Sequence, residues 1–230
     1  RYENYFSLLI MDEVDAFPYA GDETLHNFFK RSLKGNYILM SATITPELKN
    51  QIKSDGANIL ELFTRFHRYP LPVPEYFAGN IMFLYYKLIK VLSNFIKKEK
   101  QVFVFCPTIA NCEKVFKILS LFIKGGVYVH SKRSDREVVI NDFKNKKYSY
   151  IVTTAVLERG VTVKDLQVIV FLANHAVYDR YALIQIAGRA GRKKEAPEGR
   201  VVFLANKINE EIKGCISEIL ESNFDLQKLF

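Results

Sequence analysis

From residue 80 onward, apolar runs of four to seven residues alternate with amphipathic segments of helical period. This alternation is the feature that most limits what the chain can become. The spacing predicts a helix over Asn80–Lys98, then a strand at Gln101–Cys106 and a helix at Thr108–Phe122. Strands at Val127–His130, Tyr148–Thr153, Leu166–Leu172 and Arg200–Leu204 are predicted next. Their helices are Asp135–Phe143, a short one near Val156, Tyr178–Ala190 and Asn209–Glu221. Strands that alternate with helices cannot pair as hairpins. They form βαβ units, so the fold class is α/β, a parallel sheet flanked by helices.

The first part reads similarly but is shorter. Tyr5–Met11 is an apolar strand, and Tyr37–Met40 is a second. Asp22 can cap a helix over Glu23–Leu33, which places Leu25, Phe28, Phe29 and Leu33 on one face. Thr45-Pro46-Glu47 has the pattern of an N-cap followed by proline at the first helical position. Ala57–Leu62 is a candidate third strand. Residues 65–79 hold Pro70, Pro72, Pro74 and then Gly79, which argues against a helix or central strand there. A linker is expected at this point. The resulting division gives 1–75 as the end of one domain and 76–230 as a complete second one.

Charge changes at the same place. Residues 1–79 hold 8 basic and 10 acidic side chains, whereas residues 80–230 hold 25 and 15. A basic second part suits an anionic partner such as nucleic acid, or simply solvates helix faces. The longest apolar stretch, Ile81–Ile96, is broken by Lys87, Lys90 and Asn94, so no transmembrane helix is expected. Cys106, Cys112 and Cys215 fit neither a zinc pattern nor a disulfide framework and read as reduced, buried thiols. The chain opens on Arg1 without a methionine, and Arg1 is not expected to be the natural start.

Four segments carry candidate chemistry. Asp12-Glu13-Val14-Asp15 follows a strand, and ligands of parallel α/β sheets bind at the carboxyl ends of strands. One carboxylate there can hold a hydrated Mg²⁺ and its neighbour can take a proton from water. A solvated acidic loop is the plain alternative. Ser41-Ala42-Thr43 follows the next strand and offers two hydroxyls to Asp15, or merely a turn. Thr153-Thr154 and the following residues to Thr162, with Arg159-Gly160, stand at a strand end suited to a phosphate backbone, as do Thr108 and His130-Ser131. Each of these last three residues is also an ordinary cap or turn residue.

The fourth segment is Gln185-Ile-Ala-Gly188-Arg189-Ala-Gly191-Arg192. On a continuous helix Gln185, Arg189 and Arg192 share one face, with Lys193 and Lys194 beyond. Two glycines cost a helix interior about 1 kcal/mol each relative to alanine, so a close approach is expected there, naturally by a nucleotide phosphate. Arginines presented to a transferring phosphoryl group are worth roughly 10³–10⁵ in rate. The phosphate-cradling loop Gly-x4-Gly-Lys-Ser/Thr is absent from the 230 residues; Gly125-Gly126 lacks the residues that should follow.

In order and spacing these four segments resemble motifs II, III, V and VI of superfamily 2 helicases and translocases. The longer strings around Asp12 and Thr153, with the proline-rich stretch at 70–74, are similar to the ComFA family of competence ATPases. The resemblance implies two RecA-like domains with ATP and Mg²⁺ as cofactors and single-stranded DNA as partner. It further implies work beside a membrane DNA-uptake channel, on the cytoplasmic side and peripheral to the inner face of the membrane. By position, Asp12 would coordinate Mg²⁺ through water and Glu13 would activate the attacking water. Asp15, Ser41 and Thr43 would couple the site to motion. Gln185, Arg189 and Arg192 would act on the phosphates, Arg192 as arginine finger, with Arg159, Gly160 and Gly188 at the nucleotide. Thr108, Thr153 and Thr154 would touch the strand. DEAD-box members usually place an Asp where this chain has Thr162, so no ribose contact is expected there.

The family's phosphate-binding loop, adenine-recognition segment and four-cysteine zinc module would lie upstream of Arg1. The chain is therefore expected to be a C-terminal fragment that binds ATP poorly and turns it over negligibly. The alternatives are a repair or replication-restart helicase of the PriA type and a non-catalytic nucleic-acid-binding module. The PriA type usually has Glu-His after its first Asp-Glu and carries cysteine pairs, and this chain has neither.

Overall fold

The computed structural model describes the chain except for residues 1, 13, 15–21, 42–49, 51, 55, 61–67, 155–162 and 229–230. It separates into two compact units, Arg1–Glu61 and Leu62–Phe230. The division falls ahead of the one expected from the prolines.

In the first unit, β1 (Phe6–Met11) and β2 (Leu33–Leu39) form a parallel pair joined through α1 (Glu23–Ser32). Asp22 caps α1 as its sequence suggests, its carboxylate accepting from the Thr24 and Leu25 amides at 2.8 and 3.1 Å. Alternation sends Leu9, Met11, Tyr37 and Leu39 to one face, where they pack on Phe29 and Val14. The other face carries Leu8, Ile10 and Ile38, all exposed. Of the candidate third strand, residues 57–60 join no ladder. They follow a left-handed turn at Gly56 that closes on the preceding helical turn through Ala57 N–H to Ile52 O, 3.1 Å. The Thr45-Pro46-Glu47 cap lies outside the described residues.

The second unit is a six-stranded parallel sheet. Its strands are β3 (Glu75–Ala78), β4 (Val102–Phe105), β5 (Gly126–Val129), β6 (Tyr150–Thr153), β7 (Gln167–Phe171) and β8 (Val201–Ala205), in the order β3-β8-β7-β4-β6-β5. Every residue of β4, β6, β7 and β8 is buried. Strands covered on both faces read as unbroken apolar runs rather than alternating ones, which is the pattern seen in the sequence.

On one face, α2 (Ile81–Lys97) lays down Leu84, Leu88, Leu92 and Phe95, and α3 (Ile109–Phe122) adds Cys112, Val115 and Leu119. On the other, α4 (Arg136–Lys144), α5 (Arg180–Ala187) and α6 (Glu210–Lys228) bury residues such as Phe143, Leu183, Ile186 and Ile212. Phe143 stacks on Phe103 at 5.2 Å between ring centres. The three thiols are free and buried in these two layers. Burial pushes Cys112 and Cys215 up to about 12 and Cys106 well above its ordinary value.

The expected linker is partly structural. Leu71 exchanges two hydrogen bonds of 2.8 Å with the Asn223 side chain, and β3 joins the sheet edge beside β8. Proline lacks an N–H to donate, and Pro74 stands just outside the ladder, so four residues can still pair at an edge.

Candidate functional site

The acidic and hydroxyl segments of the first unit meet through backbone. Met40 N–H donates to Met11 O at 2.8 Å, and Val14 N–H donates to Met40 O at 3.2 Å. Asp12 and Ser41 thus leave neighbouring strands of one parallel pair at their carboxyl ends. Asp12 is exposed and Ser41 half-buried. Glu13, Asp15 and Thr43 lie outside the described residues.

In the second unit, β4, β6 and β5 are consecutive neighbours, so the residues after them line up: Thr108, Thr154 and His130. Thr108 is the cap of α3. Its Oγ1 accepts from Asn111 N–H at 3.1 Å and pairs with Asn111 Oδ1 at 2.6 Å. Thr153 is fully buried in β6 and donates its hydroxyl to the Thr154 carbonyl at 3.0 Å. The last residue of a buried strand points into the layers, and Thr154 after it is buried as well. Thr154 is 8% exposed, and its Oγ1 is buried without a hydrogen-bond partner. Arg159 and Gly160 lie outside the described residues.

The loop after β5 holds a clamp that no motif announced. His130 is buried; its Nδ1 accepts from Lys132 N–H at 3.3 Å and its Nε2 lies 3.6 Å from Glu113. Arg133 donates to Tyr128 O at 2.7 Å and forks onto Asp135, with Nε to Oδ1 at 2.8 Å. The guanidinium holds the Asp135 carboxyl below its ordinary range and stacks 5.1 Å from the Tyr128 ring centre. Asp135 therefore serves Arg133 and makes no side-chain cap bond to α4. The available signal was an Arg and an Asp two residues apart after a strand, which is common.

The arginine segment departs from the expected helix. α5 stops at Ala187, and Arg189 and Ala190 N–H groups bond back three residues, at 3.1 and 3.2 Å, as the chain tightens and turns. Gln185, Arg189 and Arg192 do not share a continuous helical face. Gln185 is half-buried on α5, Arg189 is buried and Arg192 is exposed. Gly188 is the C-cap, and Gly191 has φ +60°. A β-carbon on Gly191 would sit 2.0 Å from the Pro197 carbonyl oxygen. What comes close at Gly191 is the chain's own returning segment at Pro197, and no phosphate is needed to account for that glycine.

The helicase conserved C-terminal domain matches residues 86–194, which run from α2 through the arginine turn. The competence protein ComFA of Streptococcus pneumoniae is 33% identical over 97% of this chain. The chain belongs to the superfamily 2 helicases. ComFA of Bacillus subtilis is 32% identical over 88% of the chain. The matched parts are 54% and 46% of those two proteins, so the chain spans about half of their length. A solved structure of S. cerevisiae Dbp5 bound to RNA and ADP BeF3 shares the fold, with TM-score 0.70 at 19% identity over 96% of this chain and 58% of that one. A DEAD box protein of Methanococcus jannaschii does so with TM-score 0.53 at 22% identity, over 96% and 58%. Among the described residues no helix is long and apolar enough to cross a membrane.

Proposed function

We propose that this chain is the later part of the motor of a ComFA-type DNA translocase, an ATPase that draws single-stranded DNA inward during competence. The observation that carries the reading is the pairing of Met11 with Met40, which sets Asp12 and Ser41 at adjacent strand ends. The likeness to ComFA along nearly the whole chain supports it. The first unit is then the end of one RecA-like domain and the second unit a complete one.

An exposed carboxylate at a strand end suits Mg²⁺, which prefers oxygen donors and keeps most of its waters. Asp12 would hold it through water, and the ion would neutralise charge on the phosphates of ATP. Glu13 takes the proton of the attacking water. Asp15, Ser41 and Thr43 pass the state of that site to the rest of the motor. Gln185, Arg189 and Arg192 meet the charge that develops on the phosphoryl group, Arg192 from an exposed position. Gly188, Arg159 and Gly160 border the nucleotide, and Thr108, Thr153 and Thr154 serve the strand. Without a phosphate-cradling loop in these 230 residues, the chain by itself turns over ATP negligibly. The missing loop also favours a second reading, a non-catalytic module that only binds nucleic acid.

The test uses a protein of the relatives' length that contains this chain. ATP turnover is measured with and without single-stranded DNA, alongside Glu13→Gln. Turnover raised by DNA and lost in the variant supports the motor. DNA binding without turnover supports the binding module, and appreciable turnover by the 230-residue chain alone overturns the fragment reading.

A further inference from the structure

The basic excess of the second unit is concentrated at one end of its sheet. The segments 164–166, 97–101, 144–149 and 124–125 lead into the neighbouring strands β7, β4, β6 and β5, and parallel strands open at the same end. These segments hold eight lysines, no arginine and two acids, Glu99 and Asp165. Lys100 pairs with Asp165 and Lys147 with Asp142. The other six, Lys97, Lys98, Lys124, Lys144, Lys146 and Lys164, are exposed and make no ion pair among the described residues. At the far end of the same sheet, the described loops carry only Lys132, Arg133 and Lys207 against Asp135 and Asp179.

These segments are tied into one surface. Buried Gln101 donates its side-chain amide to Phe143 O at 2.6 Å and Tyr148 O at 3.0 Å, and its carbonyl accepts from Gln167 N–H at 2.9 Å. Ser149 joins the other two: its carbonyl accepts from Val102 N–H at 3.1 Å and its N–H donates to Gly125 O at 2.7 Å. Lys146 sits at φ +62°, just past α4, where glycine would relieve backbone strain, yet the chain presents a lysine. At the end of α3, two residues before Lys124, Phe122 is 66% exposed.

We propose that this end of the sheet is a second nucleic-acid surface, a sequence-independent track for the phosphate backbone of a single strand, with Phe122 as a stacking platform for one base. It rests on the nucleic-acid reading above and lies apart from Thr108 and Thr154, which stand where strands end. Four neighbouring strands set the lysines in a row about 15 Å long, which fits a linear polyanion. Lysine ammoniums are mobile point charges that hold phosphates without a fixed fork geometry. An exposed aromatic beside such a row is the arrangement that binds unpaired bases of any sequence.

The test is binding of a fluorescent oligothymidylate to the 230-residue chain across a salt series. Each lysine on a phosphate adds about 0.7 to the slope of log affinity against log salt. Replacing the six exposed lysines with glutamine should weaken binding at least tenfold and cut the slope by about 2 or more. Phe122→Ala should weaken it about tenfold, and a control with Lys114→Gln, Lys117→Gln and Lys213→Gln should bind as the parent does. Circular dichroism and melting establish that each variant is folded. If the six-lysine and Phe122 variants bind like the parent, the second surface is wrong and the nucleic-acid reading stands. If the parent binds no oligonucleotide, both fail. If the variants keep DNA but lose anionic phosphatidylserine vesicles that the parent binds, this end faces a membrane and the proposal is overturned.

Discussion

Gly191 lies against the Pro197 carbonyl with no room for a β-carbon, because the turn after α5 folds back on itself with glycine in the left-handed region. Gly191→Ala places a methyl group 2.0 Å from a backbone carbonyl oxygen, so the backbone itself must shift. The expected cost is about 2–4 kcal/mol, from strain and forced displacement together. Urea unfolding checks it. In a protein of the relatives' length, the same variant should lower ATP turnover by moving Arg189 and Arg192.

Thr154 gives the opposite sign. Its hydroxyl is buried and unpartnered, a loss of about 1–3 kcal/mol compared with an apolar group of the same shape. Thr154→Val should raise the urea midpoint while weakening single-strand binding. A variant that is less stable would show that the hydroxyl is satisfied in solution.

Gln101 is the reverse again, since both of its side-chain amide bonds end on carbonyls. Gln101→Leu strands the Phe143 and Tyr148 acceptors and should cost about 2 kcal/mol. Hydrogen exchange at the start of β6 should quicken with it.

Alkaline pH is expected to destabilise the chain. Cys112 and Cys215 are raised from 9.0 to about 12 by burial, and Tyr150 from 10.0 to about 12. A raised pKa means the folded state holds the proton longer, so this stability is complete below pH 9 and lost between about 9 and 12. Each such group steepens the decline by up to about 1.4 kcal/mol per pH unit. Urea midpoints measured upward from pH 8 test this, and a flat profile to pH 11 would refute it. The native thiols should also resist alkylation at pH 8, where thiolate is needed for attack.

Much of the second unit was legible because its central strands are buried on both faces. An unbroken run such as Val102–Phe105 has no other place to go. Leu84, Leu88, Leu92 and Phe95 likewise announced their helix by spacing alone. What stayed hidden depends on partners far along the chain. The residues before β3 looked like a linker because nothing local shows Asn223 holding Leu71 or Glu75 meeting Arg200. The arginine turn was misread for a related reason. Helical spacing over Gln185–Arg192 is real as arithmetic, but Pro197 and Gly199 return against Gly191 and end the helix early. The Arg133–Asp135 fork was invisible because either residue alone reads as surface charge.

Arg200 grips Glu75 with two bonds of 2.9 and 2.8 Å, across 125 residues of sequence. Both side chains are about half exposed, so the pair is worth at most about 1 kcal/mol. Arg200→Ala should leave the melting temperature nearly unchanged while speeding amide exchange in β3.

The position of β3 has a consequence for how the polypeptide is made. Its only ladder partner among the described strands is β8, and Glu75 sits opposite Val202. A ribosome that has just released the proline-rich stretch must therefore finish nearly the whole second unit before that edge can dock. Until then Tyr76 and Phe77 wait in the open, and a pause in translation anywhere between residues 80 and 200 lengthens the interval during which a chaperone, or a neighbouring nascent chain, can take the place of β8.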